Sequence, residues 1–254
     1  AKVSFIEEEV KDIDFNLKKI VLSNRPSVNY SKLVLNYGSQ TIIPKEFESL
    51  VKNRNAFSIK PFLRAYDSIL KEDIFDSVNE LPFVIVGSGL AAIEVSYALR
   101  KRWGDRPLKL LCDSRKINNT ILKSLRNSNI DLVEKLNFDY GKILLCTGNT
   151  SPLWAQKKLL DSDSYGRIIT NQNLQIKSFS GIFAVGDCAV VGSAKRPASG
   201  VFAVKVVNTL VQNLKKDIEG RSLKKWFPQK IGLQIVNIFP SHHPKAFAIY
   251  RNFV

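Results

Sequence analysis

The feature that most restricts the fold lies near the middle of the chain. Phe83-Val84-Ile85-Val86 is an unbroken apolar run introduced by Pro82, and it leads straight into Gly87-Ser88-Gly89-Leu90-Ala91-Ala92. Leu90 to Trp103 has helical patterning, and a second apolar run, Leu108 to Cys112, follows. Apolar runs without alternation suit strands buried on both faces, as in a parallel sheet. Strand, glycine turn, helix and strand within about 30 residues make a βαβ unit. The rest of the centre agrees: a helix is expected over 118–128, and buried strands over Lys142 to Cys146 and Gly181 to Val185. Strands alternating with helices imply the α/β class with a parallel sheet.

The flanks read differently. Val3 to Phe5, Val10 to Ile13, Lys19 to Leu22 and Lys32 to Leu35 read as short strands of a β-meander ending at the turn Tyr37-Gly38-Ser39. Phe62, Leu63, Tyr66, Ile69 and Leu70 recur at helical spacing within 60–80, and one long helix is expected over 199–218, after Pro197. The tail reads as two strands, Gly232 to Ile238 and Ala246 to Tyr250.

The glycine turn carries the chemistry. In Gly-x-Gly-x-x-Ala after a strand, the first glycine permits the tight turn and the second lets the backbone approach a pyrophosphate; Ala92 permits close helix–strand packing. The helix start offers unpaired N–H groups to an anion. A carboxylate roughly 20 residues on would hold a ribose diol. Asp113 occupies that place and favours NAD(H), whereas Arg115 and Lys116 beside it could accept the 2′-phosphate of NADP(H). Glu94 reads either as a solvated helix residue or as a group orienting the nicotinamide. Lys60 reads as a surface lysine or as a residue closing over the cleft. Two further strands end in glycine turns, at Thr147-Gly148 and Gly186-Asp187. A carboxylate at such a strand end can accept hydrogen bonds from a polyol, and the helix after Gly200 opens with free N–H groups.

The composition excludes several classes. No apolar run approaches a membrane span of roughly 18 residues, and the first residues carry Glu7-Glu8-Glu9 instead of a signal peptide. The expected location is therefore the cytoplasm. Cys112, Cys146 and Cys188 are far apart in sequence, which argues for reduced thiols and against a metal site. The formal charge is +15, but the basic residues are scattered, with short clusters at Arg100-Lys101-Arg102, Lys215-Lys216 and Lys224-Lys225. This argues against nucleic acid and leaves weak attraction to an anionic membrane surface open. The chain has no methionine and begins Ala-Lys-Val-Ser-Phe, as an internal segment would.

The order of these turns resembles the pyridine nucleotide-disulfide oxidoreductase superfamily, in which an NAD domain is inserted into an FAD domain. Tyr37-Gly38-Ser39 and Cys146-Thr147-Gly148 resemble its two ATG-type turns, and Gly181 to Ala189 resembles the motif whose aspartate binds the FAD ribitol. Ser58 to Arg64 and Arg196 to Val204 are similar to the oxidoreductase module found ahead of selenide, water dikinase, and Asn213-Leu214, Gly220 to Leu223 and Phe227-Pro228-Gln229 continue that likeness. That module in turn resembles type II NADH dehydrogenases.

The resemblance implies two Rossmann-like three-layer ββα domains. Its boundaries are 1–77 for part of the FAD domain, 78–148 for the NAD(P) domain, 149–212 for the return of the FAD domain and 213–254 for a C-terminal interface region. It implies FAD and NAD(H), with NADP(H) as a variant, and cofactor contacts at Val10, Gly38, Ser39, Gly87, Ser88, Gly89, Leu90, Ala91, Glu94, Asp113, Thr147, Gly148, Gly186, Asp187, Gly200 and Val201. No side chain is singled out as catalytic and no metal is expected. The implied activity is hydride transfer from nicotinamide to flavin and then to a quinone, oxygen or a selenium species. A non-catalytic NAD(P)H sensor attached to a selenide, water dikinase is the alternative. Partners carried with the resemblance are a small-molecule acceptor, a fused or separate dikinase domain, a second copy of the chain and a peripheral membrane contact. Departures from the pattern are the absent N-terminal FAD glycine fingerprint, the short segment between Asp113 and Lys142, and the absent redox cysteine pair. The sequence therefore carries only part of an FAD site, and tight FAD binding by this chain alone is not expected.

Overall fold

The computed structural model describes residues 3–74, 81–152, 155, 160–192, 199–229, 231–238 and 245–252. The chain divides into two compact units, one of residues 1–39, 151–232 and 252–254, the other of 40–150 and 233–251.

The second unit is built on a five-stranded parallel sheet. Its order is Ala56–Ser58, Ile143–Leu145, Phe83–Val86, Leu108–Leu111, Ile130–Val133. Phe83, Val84 and Ile85 are fully buried, as are all three residues of Ile143–Leu145. Each has a helix-packed face on both sides, which is why these segments read as solid apolar runs rather than alternating ones. From Phe83–Val86 the chain winds outward through Leu108–Leu111 to Ile130–Val133, and Ile143–Leu145 then returns on the opposite flank. The winding direction therefore reverses between Phe83–Val86 and Ile143–Leu145.

Among the described residues, this unit has four α-helices: Lys45–Lys52, Phe62–Ile74, Leu90–Trp103 and Asn119–Asn127. Leu90–Trp103 packs Ala92, Ile93, Tyr97, Leu99 and Trp103 into the main core. Its basic end is explained locally. Arg100 Nη1 donates to the Arg106 carbonyl at 2.8 Å, and Arg102 Nε donates to both oxygens of Asp73 at 2.8 and 2.9 Å. Cations at a helix C-terminus also meet its negative dipole end. The Arg100–Arg102 cluster thus has an intramolecular explanation that needs no external polyanion.

Phe62–Ile74 differs from its sequence reading. The helix forms, but Phe62, Leu63 and Tyr66 are exposed at 60%, 77% and 42%, and the inward face is Ala65, Ile69 and Glu72. Glu72 turns inward because its carboxylate accepts from Arg106 Nη2 at 3.1 Å, both side chains being buried. The Arg106 guanidinium lies 4.4 Å from the Trp103 ring centroid and 5.4 Å from that of Phe83. A carboxylate buried against a guanidinium is retained only because it is paired, and it fixes which helix face turns inward.

The tail forms a two-stranded sheet, Ile231–Ile238 with Lys245–Asn252, and Val236 and Ile238 join the main core of this unit. Residues 40–77, assigned from sequence to the first domain, contribute Ala56–Ser58 as the edge strand of the parallel sheet. The Ile130–Val133 strand was absent from the sequence reading, because Ile-Asp-Leu-Val is too short to declare a period.

The first unit holds a three-stranded antiparallel sheet of Val10–Asp14, Lys19–Leu22 and Val28–Asn29. Val3 to Phe5 form no strand, and Val3 and Phe5 are exposed. Leu33–Leu35 leaves the meander and pairs in parallel with Ile182–Ala184, while Ile168–Thr170 pairs in parallel with Ala189–Val191. The expected long helix runs as Gly200–Lys205 and Val207–Ile218, joined at Val206, which keeps right-handed helical dihedrals of −75° and −21°. Arg196, Pro197 and Ala198 of the resemblance lie outside the described residues. Asn213, fully buried, ties the segment after the helix back to it. Its Nδ2 donates to the carbonyls of Asn173 and Lys224, both at 2.9 Å, and its Oδ1 accepts the Lys224 N–H at 2.8 Å.

Candidate functional site: the cleft at the strand ends

In the second unit a cleft of about 930 Å³ opens at the carboxyl ends of the parallel strands. Val86 and Gly87 end one strand, Leu111 to Asp113 a second, Glu134 and Lys135 a third and Thr147 the fourth. Open α/β sheets bind ligands outside the strand carboxyl ends, where the winding direction reverses. The cleft meets both conditions.

The two glycines of the turn have different reasons to be glycine. Gly87 has φ of +146°, and a Cβ there would stand 2.5 Å from the Cys146 carbonyl oxygen and 3.3 Å from the Ala92 Cβ. Its N–H donates to the Leu111 carbonyl at 2.9 Å, and the Cys146 N–H donates to the Val86 carbonyl at 2.8 Å, so the neighbouring strand ends cannot move aside. The fold itself demands Gly87. Gly89 has an ordinary φ of −87° and nothing within 4 Å of a Cβ position. The protein makes no packing use of that missing side chain, whereas a ligand lying on the backbone would. Gly89 also caps the helix without a side-chain hydrogen bond, leaving the first-turn N–H groups of Leu90 and Ala91 for an anion.

Ser88 Oγ accepts the Asp113 N–H at 2.9 Å and so ties two strand ends together at the mouth. Asp113 accepts from Arg115 Nε at 2.9 Å, from Arg115 Nη2 at 3.1 Å and from the Arg115 N–H at 3.2 Å. The Arg115 guanidinium holds the Asp113 carboxyl down at about 2, with Lys116 assisting. Glu134, Lys135, Leu136, Tyr140 and Phe47 also line the cleft and were not foreseen. Glu134 follows the Ile130–Val133 strand as Asp113 follows Leu108–Leu111, and accepts from Ser114 Oγ at 3.1 Å; recognising that strand would have found it. Glu94 is half-buried on its helix and is not among the lining residues. Lys60 donates its backbone N–H to Thr41 Oγ1 at 3.1 Å. Thr147 Oγ1 donates to the Ile42 carbonyl, and the Ile42 N–H donates to the Gly148 carbonyl at 3.2 Å.

In the first unit the parallel pairing of Leu33–Leu35 with Ile182–Ala184 brings two turns together. Ser39 Oγ donates to Asp187 Oδ2 at 3.3 Å. Gly186 has φ of +74°, and the side-chain oxygen of Asn36 fills the place its Cβ would take. Gly38, at φ of +72°, faces open space. Val10 is partly buried and packs on the hydrophobic core of this unit. Gly200 and Val201 open the six-residue Gly200–Lys205 helix, which has no side-chain cap. Burial raises all three thiols: Cys146 to about 12, Cys188 to about 11, and Cys112 in the same direction. Among the described residues no group of three or more His, Cys, Asp or Glu side chains could hold a metal ion, and no helix is long and apolar enough to cross a membrane.

No family model matches the chain. It is similar to Ferroptosis suppressor protein 1 of Mus musculus, 23% identical over 89% of this chain and 67% of that protein. It is also similar to the type II NADH:quinone oxidoreductase of Staphylococcus aureus strain NCTC 8325, 22% identical over 89% of this chain and 67% of that protein. Among solved structures, the sulfide:quinone oxidoreductase of Aquifex aeolicus superimposes with a TM-score of 0.66 at 17% identity, covering 96% of this chain and 70% of that one. Other solved chains with the same fold are matched over as little as 47% of their length. At these identities the structural likeness is one of fold.

Proposed function

We propose that this chain serves a flavin-dependent NAD(P)H oxidoreductase. The second unit takes the nicotinamide dinucleotide and the first unit takes part of FAD. The observation that carries the reading is the open cradle at Gly89, beside an uncapped helix start, at the point of the sheet where the winding direction reverses. The names of the relatives point to NADH as donor and a quinone as acceptor. The second unit's segment 40–150 interrupts the first in sequence, which supports a nucleotide domain inserted into a flavin domain.

The bound cofactors supply the hydride chemistry, and the protein supplies binding and orientation. The N–H groups of Leu90 and Ala91 receive the pyrophosphate, and Gly89 lets it lie against the backbone. Asp187, held by Ser39, accepts hydrogen bonds from a ribityl chain. The buried thiols stay protonated near neutrality, so the chain's own residues offer no thiolate relay. With a flavin bound, the acceptor class proposed is a quinone.

The visible spectrum of the protein in its natural full length tests this. Flavin bands that bleach on anaerobic NADH and return on adding a quinone are the expected result. Absence of flavin bands would overturn the reading.

A further inference from the structure

A second pocket, of about 380 Å³, lies in the same unit between the starts of the Leu90–Trp103 and Asn119–Asn127 helices and the strand Lys245–Asn252. Its apolar wall is Ile93, Ile117 and Ile121, all buried in the main core, with Phe247 and Ile249 of the strand partly buried against the same core. Protein interiors pack to the density of organic crystals, so an unfilled space of this size beside core side chains serves no packing need of the fold. A largely apolar wall with a few convergent polar groups, at this volume, is the form of a small-molecule site. The polar groups are Ser88, Asn118, Thr120 and Lys116, and of the described residues lining the pocket Lys116 alone is charged. Its ammonium lies 3.5 Å from Asp113 Oδ2. Asp113 is already held by Arg115, which donates from Nε at 2.9 Å and from Nη2 at 3.1 Å. The Lys116 side chain is 71% exposed, and an exposed ion pair contributes little in water. Lys116 can therefore turn to an anionic head group while Asp113 stays paired.

We infer that this pocket is a second ligand site and that it binds an acyl carboxylate, with the chain among Ile93, Ile121, Phe247 and Ile249 and the head on the Lys116 ammonium. A singly charged head matches the single cation of the lining; a phosphate would bring further negative charge with no second cation in the pocket to meet it. Among the described residues only Ser88 lines both this pocket and the strand-end cleft. The occupant therefore leaves the cleft open, and the inference does not depend on what the cleft binds.

Calorimetric titration of decanoate, kept below its micellar concentration, into the full chain tests this. Saturable binding is expected, strengthening about three- to fourfold per methylene from hexanoate through octanoate to decanoate. Decyltrimethylammonium, with the same chain and the opposite charge, should bind at least about tenfold more weakly. Lys116→Met should lose about tenfold in decanoate affinity, the scale of one charged hydrogen bond. Ile249→Trp, which fills the pocket, should lose saturable binding, and a thermal melt checks that this variant folds; Lys116→Met, at an exposed position, carries the test if it does not. Saturating NAD+ should leave decanoate binding unchanged. No saturable binding by the wild type, equal binding of the two surfactants, or wild-type affinity in Lys116→Met would overturn the inference. Displacement of decanoate by NAD+ would put the chain in the cleft and overturn it as well. Failure of the wild type to bind NAD+ would count against the dinucleotide reading alone and leave this inference standing.

Discussion

Substituting the two glycines of the turn separates what the fold needs from what the ligand needs. Alanine at position 87 would adopt φ of +146° with its Cβ 2.5 Å from one backbone oxygen and 3.1 Å from the carbon bearing it. A residue held in that backbone region costs about 1–3 kcal/mol. Overpacking against atoms that cannot yield costs about 1–3 kcal/mol more. The oxygen belongs to Cys146, whose N–H is tied to the Val86 carbonyl, so relief would mean spreading the two central strands. Gly87→Ala is expected to lower the melting temperature by about 5 °C or more, at roughly 2–4 °C per kcal/mol for a chain of 254 residues. Gly89→Ala meets nothing within 4 Å. It loses only the modest preference for glycine over alanine at a helix start, about 0.5 kcal/mol, yet places a methyl where the pyrophosphate would lie. Thermal melts together with calorimetric titration of NAD+ give both quantities. The expected pattern is an unstable Gly87→Ala and a stable Gly89→Ala that binds NAD+ at least about tenfold more weakly. A Gly89→Ala protein that binds NAD+ like the wild type would refute the cradle, and a Gly87→Ala protein that melts like the wild type would refute the steric argument.

Three other outcomes follow from the packing. Glu72→Ala removes the carboxylate paired with the buried Arg106 and should cost about 3 kcal/mol in urea unfolding, while Glu72→Gln, which keeps an acceptor, should cost less. Asn213→Ala removes three hydrogen bonds to backbone groups and should cost about 2–4 kcal/mol, read as a shift in the same unfolding midpoint. The thiols impose an alkaline limit: burial raises Cys146 from 9.0 to about 12 and Cys188 to about 11. Unfolded thiols ionise above pH 9 while the folded ones stay protonated, so this contribution is present below pH 9 and is lost as the pH rises toward 12. Titration with a disulfide reagent at pH 8 should label these two cysteines only in denaturant; rapid labelling of the native protein would contradict their burial.

The parts legible in the sequence were those whose physics is local. Gly87 to Ala92 announces its turn because a tight strand-to-helix reversal needs glycine at its start and a small residue where helix meets strand. The buried strands Phe83–Val86 and Ile143–Leu145 read as apolar runs because both faces are covered. Asp113, Asp187 and the turns at Gly38 and Gly148 could be placed because each follows a recognisable strand. The pairing of Leu33–Leu35 with Ile182–Ala184, which sets Ser39 against Asp187, was not legible, because the partners are far apart in the chain, Ser39 and Asp187 by 148 residues, and no local pattern records a partner. The inward turn of Glu72 was hidden for the same reason: helical periodicity named Phe62, Leu63, Tyr66, Ile69 and Leu70, of which Ile69 does turn inward, while the buried arginine that pairs with Glu72 lies on another segment. The sequence by itself determined the α/β class, the glycine turn and the candidate carboxylates, since these are set by backbone sterics and side-chain chemistry within a few residues. Only the tertiary structure decided which strand each segment joins and which helix face turns inward, because those outcomes depend on contacts between distant segments that no stretch of sequence contains.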